Sequence, residues 1–336
     1  MGFDRIIGQE ILKTRMASEV MSKRGNTYIV SGPEGSGKTL IAEELAKGFL
    51  CQSPTKEGAC GKCRCCIYSD NNTNPDLVRV EPEKEGAVIS VDRIRELVVG
   101  DYETAPRFSP NKVYLINGNY LGKESQNALL KSIEEPPSDV VFIFEVTNSD
   151  TLLPTIRSRA AEYKIRRYRT EEVKKILALA GKDADDAELS VMTDFADGIP
   201  GRALKLADDE SFAQLKADIM DLILGLCGSS VTETLKRADE VFGEYRDRYL
   251  EPVILMIWLL GDLMRLVSDI DCESIRFEGD RTRLEKFVVA NAGITQKEIG
   301  RALEYIGTFV ADRKVNVSYD GTVAVMMLKI HKEFNK

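Results

Sequence analysis

Two groups of residues in this 336-residue chain have the types and spacing for chemistry. The first is Gly32-Pro33-Glu34-Gly35-Ser36-Gly37-Lys38-Thr39, which fits G-x-x-x-x-G-K-[ST]. In such a loop the glycines let backbone N–H groups close around phosphates, the lysine reaches the outer phosphates, and the hydroxyl reaches Mg²⁺. Gly32, Gly35, Ser36, Gly37, Lys38 and Thr39 are therefore candidates for holding ATP or ADP. The context agrees: Tyr28-Ile29-Val30 reads as a short buried strand feeding the loop. Thr39 to Leu50 reads as a helix, with Ile41, Leu45 and Phe49 four apart.

An ATPase built on this loop also needs an acid at the end of a second apolar strand, to hold Mg²⁺ and orient water. The best strand for that role, Val113-Tyr114-Leu115-Ile116, runs instead into Asn117-Gly118-Asn119. Asparagine brings no charge to a metal, and glycine has no side chain to act as a base. The first acid downstream, Glu124, falls inside the next helix. The competing strand, Val140-Val141-Phe142-Ile143-Phe144, runs into Glu145-Val146-Thr147-Asn148 and reads as the next strand of the sheet, its end supplying a polar sensor. The expectation is a nucleotide site with Mg²⁺ weak or absent and with little or no hydrolysis.

The second group is a cysteine cluster. Five of the seven cysteines crowd together as Cys51, Cys60, Cys63, Cys65 and Cys66. Cys51, Cys60, Cys63 and Cys66 offer four thiolates at turn-like spacing, the donor set of a closed, structural Zn²⁺ site. Cys65 is surplus, though it could trade places with Cys66. Buried or reactive thiols are the plain alternative, and an iron–sulfur cluster is another. An insertion this small has too little apolar area to fold without a metal. The odd cysteine count and expected reducing compartment argue against disulfides.

Composition narrows the classes. Hydrophobic residues make up 43% and charged residues 30%, as in an ordinary globular protein. The longest apolar run, Val253 to Leu260, is too short to span a bilayer. Asp4, Arg5, Gln9 and Glu10 interrupt any signal-like N-terminal core, so the expected location is cytoplasmic. A net charge of −8 argues against a protein that coats DNA, while leaving room for a local basic face. The single histidine, His331, excludes histidine-based catalysis and His-rich metal sites and is expected at the surface or a helix end.

The elements that must position these groups alternate. Tyr28–Val30, Leu77–Val80, Val113–Ile116, Val140–Phe144 and Glu162–Ile165 read as strands; Ser90–Val99 and Ser125–Glu135 read as helices between them. Such alternation predicts a mostly parallel sheet covered by helices on both sides. Residues 170–208 read as small and helical, broken at Gly198-Ile199-Pro200-Gly201, and long helical patterns dominate thereafter. The stripe Leu255, Leu259, Leu263, Leu266 with Trp258 reads as core.

Several stretches together resemble the bacterial clamp-loader AAA+ family, most closely its delta-prime branch. These are Ile6-Ile7-Gly8-Gln9, the cysteine module directly after the loop helix, Asn74-Pro75-Asp76-Leu77 and Ser90-Val91-Asp92-Arg93-Ile94-Arg95. They continue with Asn127-Ala128-Leu129-Leu130-Lys131-Ser132-Ile133-Glu134-Glu135-Pro136-Pro137 and Leu153-Pro154-Thr155-Ile156-Arg157-Ser158-Arg159. The resemblance is specific over residues 1–206. It implies an α/β P-loop AAA+ module over 1–165 carrying a zinc module at 51–66. A helical lid over 166–208 and an all-α collar for oligomerisation over 209–336 would follow.

Two departures from the family matter. Its Ser-Arg-Cys motif reads Ser158-Arg159-Ala160 here, and the acidic pair after the third strand is absent, which fits delta-prime better than the gamma/tau motor. By resemblance, Arg159 is a trans arginine finger for a neighbouring ATPase subunit, with Arg157 as local competitor. Thr147 and Arg202 resemble the first and second nucleotide sensors. The implied partners are the gamma/tau motor and delta subunits, the sliding clamp, and primer–template DNA through the assembled complex. The starts of the helices at Asp92-Arg93 and Gly122-Lys123 could meet DNA phosphates. The implied function is that of a non-motor subunit in ATP-dependent clamp loading, within a DNA-directed DNA polymerase holoenzyme. The alternatives are an active motor ATPase of the same family or a stand-alone AAA+ repair or recombination factor.

Overall fold

The structure, a computed structural model, describes residues 2–22, 25–84, 86–182, 186–313 and 318–336. The chain divides into two compact units, one comprising Met1–Gly181 with Ala196–Ala203 and the other Lys182–Phe195 with Leu204–Lys336.

The first unit is built on a five-stranded sheet: β1 (Thr27–Ser31), β2 (Leu77–Val80), β3 (Lys112–Asn117), β4 (Val140–Val146) and β5 (Ala161–Lys164). Its order is β2-β3-β4-β1-β5, and every pairing is parallel. Residue types explain the order. β1, β3 and β4 are near-continuous apolar runs, buried throughout apart from the half-buried Asn117, as strands covered on both faces must be. The mixed sequences Leu77-Val78-Arg79-Val80 and Ala161-Glu162-Tyr163-Lys164 take the edges.

The helices of this unit are α1 (Glu10–Ser22), α2 (Lys38–Leu50), α3 (Arg64–Asp70), α4 (Val91–Ile94), α5 (Lys123–Glu134), α6 (Pro154–Arg157) and α7 (Thr170–Leu179). All five expected strands form, each within two residues of its predicted ends. The expected helix over Ser90–Val99 is only partly α-helical. After one turn it widens into a π-helix over Arg95–Val99, closed by Gly100 N–H donating to the Arg95 carbonyl at 2.8 Å. The wider turn seats both Ile94 and Val98 fully in the core, with Leu97 half-buried against it.

The segment Asn74-Pro75-Asp76-Leu77 is a structural anchor. Asp76, with no exposed surface, accepts backbone N–H bonds from Arg107 (2.6 Å), Phe108 (3.1 Å) and Ser109 (2.8 Å). Asn74 reaches the Cys65 carbonyl at 3.3 Å, so this one tetrapeptide ties α3 and the 107–109 loop to the start of β2. Burial alone would raise the Asp76 carboxyl, but the N–H donors hold it below the usual aspartate value.

The second unit is helical: α8 (Asp186–Phe195), the end of α9 (Pro200–Ala207), α10 (Glu210–Leu224), α11 (Val231–Glu244), α12 (Leu250–Ser268), α13 (Arg281–Ala290), α14 (Gln296–Asp312) and α15 (Tyr319–Phe334). Helix α12 is central. Leu255, Leu259, Leu263 and Leu266 are buried as expected, and α10, α13 and α14 pack around it. Trp258 is half-buried, with the Arg276 guanidinium 4.6 Å from its ring centre. His331 lies in the last turn of α15. It is buried rather than on the surface, its Nδ1 3.0 Å from Thr234 Oγ1. Buried Asp262 repeats the device of Asp76, accepting from Arg276 and Phe277 N–H at 3.0 and 2.8 Å. With two donors instead of three, burial prevails and its carboxyl is raised.

Asp76→Ala should lower the unfolding free energy by on the order of 3 kcal/mol at neutral pH, measured by urea titration, because three buried N–H donors lose an ionised acceptor. Since folding depresses the Asp76 pKa, that contribution is present above the unfolded value of about 4 and fades as pH falls through the folded value.

Candidate nucleotide and metal sites

The nucleotide loop leaves the end of β1 and enters α2, so Lys38 and Thr39 open a helix whose first N–H groups face the loop. Gly37 caps that helix in the left-handed region, at φ 83°. The Ser36 hydroxyl is buried and has no hydrogen-bond partner. All six predicted loop residues, Gly32, Gly35, Ser36, Gly37, Lys38 and Thr39, thus share one strand–loop–helix turn at the carboxyl edge of the sheet. This edge is where parallel sheets receive ligands.

Arg202 comes close to this loop. Gly201 N–H donates to the Gly35 carbonyl at 2.9 Å, and a Cβ on Gly201 would lie only 2.7 Å from Gly35 Cα. Two glycines are needed there for the backbones to touch, and the contact sets Arg202, the next residue, beside the loop. Gln9 closes the other side of the neighbourhood: it is buried, donates to the Arg166 carbonyl at 2.8 Å, and so fixes the segment Ile6-Ile7-Gly8-Gln9 against the end of β5.

The end of β3 carries no acid, as read from the sequence. In the register Asn117 stands beside Glu145 of β4, and Glu145 beside Val30 of β1. A base at position 118 has no room, since a Cβ there would lie 2.5 Å from Val146 Cγ1. Thr147 follows β4 and is exposed, its N–H held by the Asn119 side chain at 2.7 Å.

Sequence reasoning passed over Glu145. It is 6% exposed, and its Oε2 is buried without a partner. Burial raises its carboxyl, while the Thr39 hydroxyl and the Lys38 ammonium pull it back, and Glu81 and Glu43 push it up. The signal was present: it is the acid that closes the apolar run Val140–Phe144.

Arg159 is not brought to this loop. β5 pairs Ala161 with Tyr28, near the start of β1, so Arg159 lies toward the opposite edge of the sheet from the phosphate loop. Its guanidinium is half-exposed, 3.1 Å from Glu134 and 3.1 Å from the Thr155 carbonyl. Arg157 pairs with Asp150.

The four predicted cysteines converge. The sulfurs of Cys51, Cys60, Cys63 and Cys66 all lie within 4.8 Å of one another, with Cys51–Cys63 and Cys60–Cys66 each at 3.9 Å. A Zn–S bond of about 2.3 Å gives a tetrahedral edge of about 3.8 Å, so the donor set fits Zn²⁺. Cys65 lies outside the tetrad, its thiol directed to the Phe108 carbonyl. Local structure aims the sulfurs: Cys51 caps the end of α2, Cys63 caps the start of α3, and each accepts a backbone N–H, from Cys60 and Cys66 respectively. Burial pushes the Cys51 and Cys66 thiols up. Burial also acts on Cys60, but the N–H groups of Lys62 and Cys63 outweigh it and bring that thiol down to about 6. A cation between the four sulfurs would stabilise them as thiolates.

A second convergence involves the starts of α4 and α5. Ile89 and Leu121 form a parallel bridge, with Ile89 N–H donating to Tyr120 at 2.9 Å, so the residues that open the two helices, Ser90 and Gly122, stand side by side.

The sheet order and the loop after β1 define a P-loop protein of the AAA+ class. Within it, residues 8–169 match the family described as DNA polymerase III, delta subunit. This α/β segment is similar to the clamp-loader subunits of DNA polymerase III.

Among curated relatives, the gamma subunit of Buchnera aphidicola is 33% identical over 212 residues, covering 61% of this chain and 57% of that protein. The delta-prime subunit of Pseudomonas aeruginosa is 38% identical over 141 residues, covering 42% and 43%. The chain thus spans about half the length of these relatives. Among solved structures, a gamma subunit-related protein of Thermotoga maritima aligns over 96% of this chain and 99% of its own, at 17% identity and a TM-score of 0.41. Among the described residues, no helix is long and apolar enough to cross a membrane.

Purified under reducing conditions, the chain should carry about one zinc, and Cys60→Ser should lose it, as read by metal analysis. The same variant should lower the melting temperature, whereas Cys65→Ser should keep its zinc.

Proposed function

We propose that this chain is the non-motor, delta-prime-like subunit of a replicative clamp loader. It would work with gamma/tau motor subunits and delta to place the sliding clamp on primed DNA. One observation carries this reading: Asn117 and Gly118 stand where a motor has its metal-holding acid and its base, and the packing of Gly118 against Val146 leaves no room for one.

Arg159 keeps its use without local hydrolysis. An arginine lent to a neighbour stabilises charge on that neighbour's γ-phosphate, and the register keeps Arg159 away from its own loop. Its Glu134 partner is half-exposed, so the pair is weak enough to exchange. In this reading ATP or ADP binds at Gly32–Thr39, with Thr147 and Arg202 as sensors, and the cysteine tetrad holds a structural zinc. The three functional regions are the AAA+ module over 1–165, the lid over 166–208 and the collar over 209–336. The paired starts of α4 and α5 would face DNA phosphates in the assembled complex, in the cytoplasm.

A motor subunit is the second reading, because the gamma relative covers 61% of this chain against 42% for the delta-prime relative.

Reconstitution with motor and delta subunits separates the two. If the first reading holds, Arg159→Ala should lower clamp-dependent ATP turnover about tenfold or more, while this chain alone turns over almost no ATP. Brisk turnover by the purified chain, lost in Lys38→Ala and indifferent to Arg159→Ala, would favour the motor.

A further inference from the structure

Two buried polar atoms have nothing to bond: Ser36 Oγ in the nucleotide loop and Glu145 Oε2 near the end of β4, the strand beside β1. Ser36 is 3% exposed and Glu145 is 6% exposed. Buried oxygens left unpaired in a protein interior are costly, and two of them on the loop after β1 and on the strand paired with β1 point to a missing ligand.

The position of Glu145 narrows the chemistry. Laterally paired residues of a parallel sheet put their side chains on the same face, so Glu145 shares its face with Asn117, one strand spacing (about 4.8 Å) away. It also lies next to Thr39 and Lys38, the hydroxyl and ammonium that serve Mg²⁺ and phosphate in such loops. A bare carboxylate there would repel a triphosphate. A divalent cation between them makes the two compatible, and Mg²⁺ is commonly held by one or two carboxylates together with substrate phosphates.

We propose that Glu145 supplies the magnesium-side carboxylate of the nucleotide site, acting from β4 in place of the acid absent from the end of β3. The expectation of weak or absent Mg²⁺ rested on β3 alone and is revised accordingly. The base position stays empty, because Gly118 is packed against Val146. The site is therefore built to hold Mg²⁺–ATP without turning it over quickly. This inference rests on the nucleotide-loop part of the proposed function and is independent of the role given to Arg159.

The test compares ATP affinity in Mg²⁺ with affinity in EDTA, by calorimetry on the purified full chain. Wild type should bind ATP about tenfold more tightly with Mg²⁺, and in Glu145→Gln the ratio of the two affinities should collapse toward one. The near-isosteric variant should melt as wild type does. Independently of any variant, Mn²⁺ with ATP should give an immobilised electron paramagnetic resonance signal of about one ion per wild-type chain, absent in Lys38→Ala. An equal magnesium advantage in wild type and Glu145→Gln would overturn the assignment of Glu145 alone. ATP binding without a magnesium advantage, or without an ordered Mn²⁺, would do the same. No ATP binding by wild type at all would overturn both this assignment and the nucleotide reading, while leaving Arg159 to its own reconstitution test.

Discussion

The lateral register of three parallel strands governs what the α/β unit can do. β1, β3 and β4 end together, which lines up Val30, Glu145 and Asn117 across the edge from which the phosphate loop departs. Parallel hydrogen bonding holds that row rigid, and burial on both faces fixes which side chains look into the cleft. The charge at Glu145, the buried acid of that row, is felt by Lys38 and Thr39. The loop glycines, the contact of Gly201 with Gly35 and the tight seat of Gly118 are arranged around that edge.

A different constraint rules the cysteine module. Between α2 and α3 the chain has few apolar side chains to bury, and its small core cluster is Cys51, Ala59, Cys60 and Cys66 with Cys63 against them. A cluster so poor in hydrocarbon gains little from packing, and a metal held by the four sulfurs would supply the stability that it lacks. The module is then pinned to the sheet at a distance by Asn74, through the Cys65 carbonyl, so the surplus cysteine contributes its backbone to the joint and its thiol stays out of the tetrad.

Both units solve one loop problem in the same way. Asp76 and Asp262 are each buried and each gather consecutive backbone N–H groups from an irregular segment, which satisfies donors that no strand or helix could. The opposite directions of their pKa shifts follow from the balance of donors against desolvation.

Local residue order alone determined much of this protein. The five strands, the phosphate loop, the cysteine tetrad and the long helices from 210 onward are legible because each depends on short-range spacing: apolar runs, glycine positions, thiol intervals and period-four stripes. The missing acid at Asn117 was legible for the same reason. Tertiary structure decided which strands became neighbours, and therefore that Glu145 stands beside Asn117 and that Arg159 stands toward the far edge from the loop. It also decided that His331 is buried against Thr234, and that the helix after Ser90 widens to seat Val98. Those outcomes depend on strand order and on packing between residues distant along the chain, neither of which leaves a periodic mark in the sequence.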